Sequence, residues 1–395
     1  MTDKGFVVRK TFESARLFEG NPPLLPHIDI ELTERCNNSC IHCYINLPEN
    51  DSNAKNRELS TDQLKDILDQ SAALGALSVR FSGGEPLLRK DFSEIYLHAR
   101  RLGMKVKLFT NARLITDELA DLFGTFRLLN KIEISVYGMH KDSYEAVTRV
   151  KGSYDEFRKG VDRLLDREIP IILKFVPLPP NRNDREEFVE WIADLPGKNK
   201  PTYMSFLMLR TRRDSEDKNK LIKRLRSSIE EQVAFFVKHK TEYCNNMPQY
   251  AEKFFYLKGS KLFKHCGAGE TVTIDAYGQC QMCMLLRHPE MSFDATKNTL
   301  RDIITKVFPR LRETEAYNQN YLRRCAKCFL LGFCDQCPGY SWSEHGTLDT
   351  PVEYLCQVTH AHMRLLGLLK EGESAWEVAD WKERVDNLVN QLPTA

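Results

Sequence analysis

From residue 27 onward the chain alternates between two hydrophobic periods. Runs in which apolar residues recur every second position predict strands over 27–33, 77–81, 105–110, 131–137 and 171–177, with a sixth over 203–209. Between them, apolar residues recur at helical spacing over about 61–74, 91–102, 117–123, 154–167 and 184–194. Ser60 followed three residues later by Gln63 reads as a capping box for the first of these helices. Gly75, Gly103 and Gly124 stand where a helix C-terminus calls for a left-handed residue. Alternation on this scale builds a parallel sheet with helices outside it. Six units predict an α/β fold of the partial (β/α)6 barrel type rather than a closed eight-unit barrel.

The remainder reads differently. Residues 1–26 are a short lead-in ending in a Pro-rich stretch, and 27–210 form the barrel. Residues 211–260 are charged and helix-like, a solvated linker. Residues 261–370 make a smaller cysteine-rich unit, with a β-hairpin over 271–277 and 279–285 turning at Gly278, helices over 298–311 and 358–369, and loops between; 371–395 are a tail. With 57 basic and 55 acidic residues, the net charge of +2 argues against a nucleic-acid-coating surface. The first residues carry no apolar core of a signal peptide, and no apolar run spans a bilayer, which predicts a cytoplasmic protein with no membrane partner.

That compartment changes the meaning of the 12 cysteines. In a reducing cytosol clustered thiols bind metal more often than they form disulfides. Three stand at 36–43, one at 244 and eight between 266 and 356. Cys244, outside either cluster, reads as a buried inert thiol. Cys36, Cys40 and Cys43 follow the first strand, at the edge of the sheet where α/β sites are built. A [4Fe–4S] cube takes four thiolates, so three with no local fourth leave one iron open. A zinc site is the alternative on spacing alone, although His42, adjacent to Cys43, is poorly placed to join it as a fourth ligand.

The pattern Cys-x3-Cys-x2-Cys after a strand, followed one helix and one strand later by Gly83-Gly84-Glu85-Pro86, resembles the signature of the radical S-adenosylmethionine (SAM) superfamily. His42 takes the usually aromatic place before the third cysteine, with Tyr44 after it. The resemblance implies a SAM-binding [4Fe–4S] cluster on the three cysteines and a Gly-Gly-Glu-Pro turn at the methionine end of SAM, with Glu85 on its amino group. Thr110-Asn111-Ala112 stands where the family has Thr-Asn-Gly, so Asn111 joins the cofactor-binding set together with His42 and Tyr44. Ser135 matches a SAM-contacting position at the end of the fourth strand. Arg149, in an Arg-x-x-Gly-Ser element, would pair with the SAM carboxylate, and Lys174 is a further candidate on the fifth strand. The implied chemistry is one-electron cleavage of SAM to a 5′-deoxyadenosyl radical that abstracts a substrate hydrogen.

Two CxxC pairs, Cys280/Cys283 and Cys325/Cys328, are compatible with zinc ribbons. Gly278-x4-Cys283 and Cys325-x2-Cys328-x5-Cys334, followed by Cys337 and Cys356, resemble instead the SPASM extension of radical SAM enzymes. The interval from Cys334 to Cys337 is x2 rather than the family's x3, and a second ligand shortly after Cys266 is missing, with Cys280 as the replacement. Interleaved ligation then implies Cys266, Cys280, Cys283 and Cys337 for a first auxiliary cluster and Cys325, Cys328, Cys334 and Cys356 for a second. Three [4Fe–4S] clusters and SAM follow as cofactors.

Proteins with this extension mostly modify peptides, and auxiliary clusters suit net oxidation. The expected function is maturation of a ribosomally made peptide or small protein, giving a crosslink or another side-chain or backbone modification. Met284 stands where sulfatase maturases carry an aspartate, which marks that reading down. Only 35 residues precede Cys36, too few for a winged-helix leader-binding domain, so the expectation is either a separate leader-binding chain or direct recognition of the substrate. A flavodoxin or ferredoxin would supply electrons. The alternatives are a small-molecule enzyme, such as a porphyrin-modifying one of haem biosynthesis, and a non-enzymatic iron–sulfur carrier or zinc scaffold. No general base emerges: Glu270, Asp275, Tyr277 and Tyr137 read as structural.

Overall fold

The computed structural model describes residues 25–45, 47–128, 131–195, 202–203, 216–238, 253–255, 259–264 and 266–391. Cys244, the lead-in before residue 25 and most of the expected sixth strand lie outside the described residues.

Six strands run parallel in chain order: β1 (His27–Thr33), β2 (Ser78–Gly83), β3 (Lys105–Thr110), β4 (Ile132–Val136), β5 (Ile171–Phe175) and β6 (Thr202–Tyr203). The intervening helices are α1 (Thr61–Ala73), α2 (Phe92–Arg101), α3 (Asp117–Thr125), α4 (Lys141–Thr148), α5 (Ser153–Leu165) and α6 (Arg185–Asp194). Ser60 and Gln63 form the expected reciprocal cap on α1, with N–H···O distances of 3.2 and 2.9 Å. Gly75 and Gly103 take left-handed backbone after α1 and α2. Gly124 does not, because α3 runs through it to Thr125. Helix α4 escapes the sequence pattern: it spans two turns and buries only Tyr144, Val147 and Thr148.

The sheet does not stop at β1. Strand β7 (Val272–Ile274) pairs parallel with β1, Ile28 opposite Val272 and Ile30 opposite Ile274. β8 (Gln279–Gln281) pairs antiparallel with β7, and β9 (Ser292–Asp294) with β8. Among the described residues one sheet of nine strands results, ordered β9-β8-β7-β1-β2-β3-β4-β5-β6. The expected hairpin is therefore laid directly on the first barrel strand.

Strand alternation gives the sheet two unlike faces. Ile28, Ile30, Phe81, Val106, Leu108, Ile132, Ile134 and Leu173 are buried in the same apolar core as Leu68 of α1, Tyr96 of α2 and Phe157 of α5. The opposite face carries Asp29, Glu31, Arg80, Lys107, Glu133 and Lys174. A parallel sheet is ordinarily apolar on both faces; here charges are kept inside by pairing. Arg80 pairs with Asp29, Lys107 lies 2.9 Å from Glu133, and Lys174 pairs with Glu133. Arg287 lies 2.7 Å from Glu31 and 3.1 Å from Asp275. Arg80 and Lys174 both stand 4.9 Å from the Phe109 ring.

In the C-terminal part, helices Glu353–Leu365 and Trp381–Gln391 enclose a second apolar cluster around Phe329, Leu330, Met363 and Leu369, with Cys328 at its edge. No described helix is long and apolar enough to cross a membrane.

Candidate active site

The cysteine loop leaves the C-terminal end of β1, and three sets of bonds fix its path. Arg35 and Cys36 pair with Leu47 and Pro48. The buried Arg35 guanidinium holds Glu58 through Nε at 2.8 Å and Nη2 at 3.0 Å, and donates to the Glu49 carbonyl at 2.8 Å. Further on, the N–H groups of Ser39 and Ile41 donate to the carbonyls of Thr148 and Val147 at the end of α4, at 2.8 and 3.0 Å.

Gly83 and Gly84 lie against this path. The Gly84 N–H donates to the Thr33 carbonyl at 2.7 Å and that of Glu85 to the Arg35 carbonyl at 2.9 Å. A Cβ on Gly83 would stand 2.1 Å from the Thr33 oxygen, and one on Gly84 would stand 2.2 Å from that of Arg35. Only glycine permits this approach. Pro86 then opens a short 3-10 turn, Pro86–Leu88.

The Glu85 carboxylate is buried. It accepts from the Leu87 N–H at 3.1 Å, the Thr110 hydroxyl at 2.8 Å and the Asn111 N–H at 2.8 Å. Burial outweighs these bonds and pushes its pKa up to about 7. Asn111 also reaches the cysteine loop, donating from Nδ2 to Asn37 Oδ1 at 2.7 Å and to Cys36 Sγ at 3.8 Å. Ala112 adopts φ +63°, the conformation that the family's glycine would take at no cost.

The three thiols lie within one another's field. Burial raises both Cys36 and Cys40; Glu85 and Cys43 add to the first, Cys43 and Cys36 to the second. The Asn38 N–H donates to Cys36 Sγ at 3.4 Å, and Tyr137 hydrogen-bonds the Cys40 thiol while also engaging Ser135. The His42 ring packs 5.4 Å from that of Tyr137, and burial lowers its pKa to about 4, so it is a neutral wall of the loop. Cys36 and Cys40, whose thiols resist ionisation, suit a cationic metal cluster, which supplies the charge that favours thiolates here.

Arg149 stands apart from this convergence: it is exposed, at φ +57°, as the C-cap of α4. The residue after Asn111-Ala112 is the one the motif reading missed. Arg113 donates from Nη1 to Asn38 Oδ1 at 2.7 Å and to the Asn37 carbonyl, and from Nε to Glu156 at 2.7 Å. Its charge lowers the pKa of both Cys36 and Glu85. Glu58 was missed as well; nothing in the sequence around it marks it as the hub that holds Arg35, the Thr33 hydroxyl and, at 3.8 Å, Arg89.

Two further thiol groups lie in the C-terminal part. Cys325, Cys328, Cys334 and Cys356 line a small cavity of about 20 Å³ together with Arg324, His360 and Trp376. Arg324 donates to Cys356 Sγ at 3.4 Å, and His360 Nδ1 lies 3.5 Å from it. The Cys328 thiol is raised by burial first and then by Cys334, Cys325 and Cys356. Elsewhere, Cys283 is raised by burial and then by Cys337 and, more weakly, Cys266. The Gly269 N–H donates to the Met282 carbonyl at 2.9 Å, bringing the Cys266 segment alongside Cys283. Cys280 is fully buried on β8. Among the described residues, no three His, Cys, Asp or Glu side chains converge at single-ion spacing.

Comparison with known proteins agrees with this geometry. Fe-coproporphyrin III synthase of Methanosarcina barkeri is 32% identical over 163 residues, 40% of this chain and 39% of that protein. The mycofactocin maturase MftC of Mycolicibacterium smegmatis is 36% identical over 134 residues, 34% of this chain and 33% of that one. The chain thus spans roughly a third to two-fifths of the length of these curated relatives. Streptococcus suis SuiB, in its crystal structure with the precursor peptide SuiA, shares the fold with a TM-score of 0.61 at 17% identity, over 85% of this chain and 76% of that one. The family model described as the Radical SAM superfamily matches residues 30–192, the stretch that carries the cysteine loop, the Gly-Gly-Glu-Pro turn and Arg113. Over those residues the chain is similar to the radical SAM superfamily.

Proposed function

We propose that this chain is a SAM-cleaving, peptide-modifying enzyme that abstracts a hydrogen from a ribosomally made peptide or small protein and oxidises the product radical. The observation that carries the reading is the convergence of Cys36, Cys40 and Cys43 with Glu85, Asn111 and Arg113 at the end of β1, beside a buried charged sheet face.

Cys36, Cys40 and Cys43 would hold a [4Fe–4S] cluster, which would supply one-electron cleavage of SAM when both are bound. The chain's own residues supply the rest. Gly83 and Gly84 let the turn close onto the cysteine loop, Glu85 meets the ammonium group of SAM, and Asn111 and Ser135 line its bed. His42, Tyr44 and Tyr137 close the apolar side and exclude water. Arg149 takes the SAM carboxylate if the end of α4 turns inward. Cys325, Cys328, Cys334 and Cys356 hold one auxiliary cluster, and Cys266, Cys283 and Cys337 contribute to another. Clusters held there would supply an acceptor for the electron that the substrate loses along with a proton. A flavodoxin or ferredoxin serves as reductant, and a separate chain presents the peptide leader.

MftC, named a mycofactocin maturase, and SuiB, solved with its precursor peptide, support a peptide substrate. The relative named Fe-coproporphyrin III synthase supports a porphyrin as the second reading. The test is anaerobic incubation of reduced enzyme with SAM and either the short peptides encoded beside the gene or coproporphyrins. The peptide reading expects 5′-deoxyadenosine together with a peptide mass loss of two hydrogens per turnover. Turnover of a porphyrin with every peptide unchanged would replace it, and absence of SAM cleavage altogether would overturn both.

A further inference from the structure

We infer that Arg324 and His360, the second locked in place by the C-terminal segment, are positioning residues that raise the reduction potential of the cluster held at Cys356, so that this site is poised to take up an electron. This rests on the reading of Cys325, Cys328, Cys334 and Cys356 as cluster ligands.

Cys356 lies on the helix Glu353–Leu365, with Glu353 three residues before it and His360 four after, so the three share one face. Arg324, the residue before Cys325, lies against that face. Its Nη1 and Nη2 bind the two carboxylate oxygens of Glu353 at 2.6 and 2.9 Å, and Nη2 also donates to Cys356 Sγ at 3.4 Å. Pairing through both nitrogens fixes the plane of the guanidinium and so aims the bond to sulfur. Burial raises the Cys356 thiol and Arg324 opposes it, whereas on Cys328 the opposing donor is the Leu330 N–H.

His360 supplies a second donor, and its tautomer follows from its far nitrogen. The Ala375 N–H donates to Nε2 at 3.2 Å. Nε2 therefore carries a lone pair, which puts the hydrogen of the neutral ring on Nδ1. Nδ1 lies 2.9 Å from the Cys356 carbonyl oxygen and 3.5 Å from its sulfur, and donates to both. Trp376, next to Ala375, packs on both donors: the Arg324 guanidinium lies 4.6 Å from its ring and the His360 ring 5.5 Å. Arg384 holds this segment through Glu373 at 2.9 Å, and the same carboxylate accepts from the Lys370 N–H at 2.8 Å. What the sequence presents as a tail thus sets the hydrogen position on a side chain that faces a cluster ligand.

The sign follows from charge. Reduction adds negative charge to a cluster and its thiolates, so a guanidinium and an N–H directed at one of those sulfurs favour the reduced form and raise the potential.

The test uses the full chain, reconstituted anaerobically with iron and sulfide and titrated potentiometrically while its electron paramagnetic resonance spectrum is followed. Cys356→Ala identifies the signal of this site as the one it loses or alters. Arg324→Gln is expected to move the midpoint of that signal to more negative potential by at least about 59 mV, a tenfold change for one electron, with the other signals unmoved. Arg324→Lys, which keeps the charge and loses the fork, should recover part of the shift. His360→Leu should also move the midpoint negative, and His360→Asn, whose amide nitrogen takes the place of Nδ1, should restore it. The two His360 variants decide the matter if Arg324→Gln does not retain its iron. A midpoint unmoved in iron-replete Arg324→Gln or in His360→Leu, or an equal shift of every signal, would overturn the inference alone. A wild type holding only about four irons, instead of the about twelve of three cubes, would overturn the auxiliary-cluster reading beneath it.

Discussion

Arg113 reaches from the turn after β3 to the middle of the cysteine loop, where its Nη1 donates to Asn38 Oδ1 at 2.7 Å. The same guanidinium binds the Asn37 carbonyl and, through Nε, Glu156 on α5. A planar fork makes these contacts together; an ammonium cannot. Arg113 thereby fastens the loop that carries Cys36 to the strand end that carries Asn111, and its charge favours negative charge on both Cys36 and Glu85.

Replacing Arg113 should therefore loosen the loop and remove the positive charge beside Cys36. Arg113→Gln is expected to lower the midpoint potential of the SAM-binding cluster, since the reduced form carries the extra negative charge. It should also slow SAM cleavage about 10- to 100-fold, the usual cost of losing a residue that orients a metal ligand. Arg113→Lys should recover the potential better than the rate. Redox titration of the cluster signal together with 5′-deoxyadenosine counts checks this; an unchanged potential in Arg113→Gln would refute it.

Glu58 poses a problem of burial. It pairs with Arg35, and both side chains are under a tenth exposed. Removing one partner leaves the other charge buried and unmet, at about 3–5 kcal/mol. Glu58→Gln should thus lower the urea midpoint strongly and release iron from the first cluster. The double variant Glu58→Leu with Arg35→Met should be less destabilised than Glu58→Gln alone, because it removes both charges. Urea unfolding of the three proteins decides; equal or greater loss in the double variant would show that the pair is not what holds the loop.

Much of this site is legible in the sequence because its chemistry is local. Cys36, Cys40 and Cys43 share one loop, and Gly83-Gly84-Glu85 is a single turn whose glycines are demanded by backbone contact. Strands β1 and β3 have their expected bounds because HIDIELT and KVKLFT place alternate residues on unlike faces. What the sequence conceals is non-local. Arg113 and Glu58 are ordinary charged residues until the fold brings Asn38 and Arg35 to them. Helix α4 was hidden by its short apolar face, although its last carbonyls anchor Ser39 and Ile41. The CxxC spacing of Cys280 and Cys283 suggested two ligands; a strand's period of two puts Cys280 on the core side, which spacing alone does not reveal.

Two glycine variants separate close approach from backbone conformation. Gly84→Ala puts a methyl 2.2 Å from the Arg35 carbonyl oxygen, a backbone atom that cannot swing away. Gly103→Ala meets nothing within 4 Å, but its backbone sits at φ +79°. The first should lose SAM binding and most of the iron of the first cluster. The second should cost only about 1–2 kcal/mol of stability and keep both. Iron content and equilibrium SAM binding check the pair. Normal SAM binding by Gly84→Ala would show that the turn and the loop are not in contact as described.

Glu85 gives the site a pH dependence whose sign follows from burial. Its carboxyl is raised from an ordinary 4.5 to about 7, because burial outweighs the bonds from Asn111, Leu87 and Thr110. Below about pH 4.5 it is protonated both folded and unfolded, so its stabilising effect is fully present. Between 4.5 and 7 the folded protein holds a proton that the unfolded chain has released, and stability falls with rising pH until the group ionises in the fold, by roughly 3 kcal/mol in all. SAM binding should run the other way, because its ammonium group seeks the ionised carboxylate. Affinity for SAM is expected to rise by up to about tenfold per pH unit below 7 and level off above it. Glu85→Gln, which keeps the shape and cannot ionise, should bind SAM weakly with a flat profile over pH 5.5 to 8. Equilibrium binding measured across that range decides, and an equally steep profile in Glu85→Gln would assign the titration to another group.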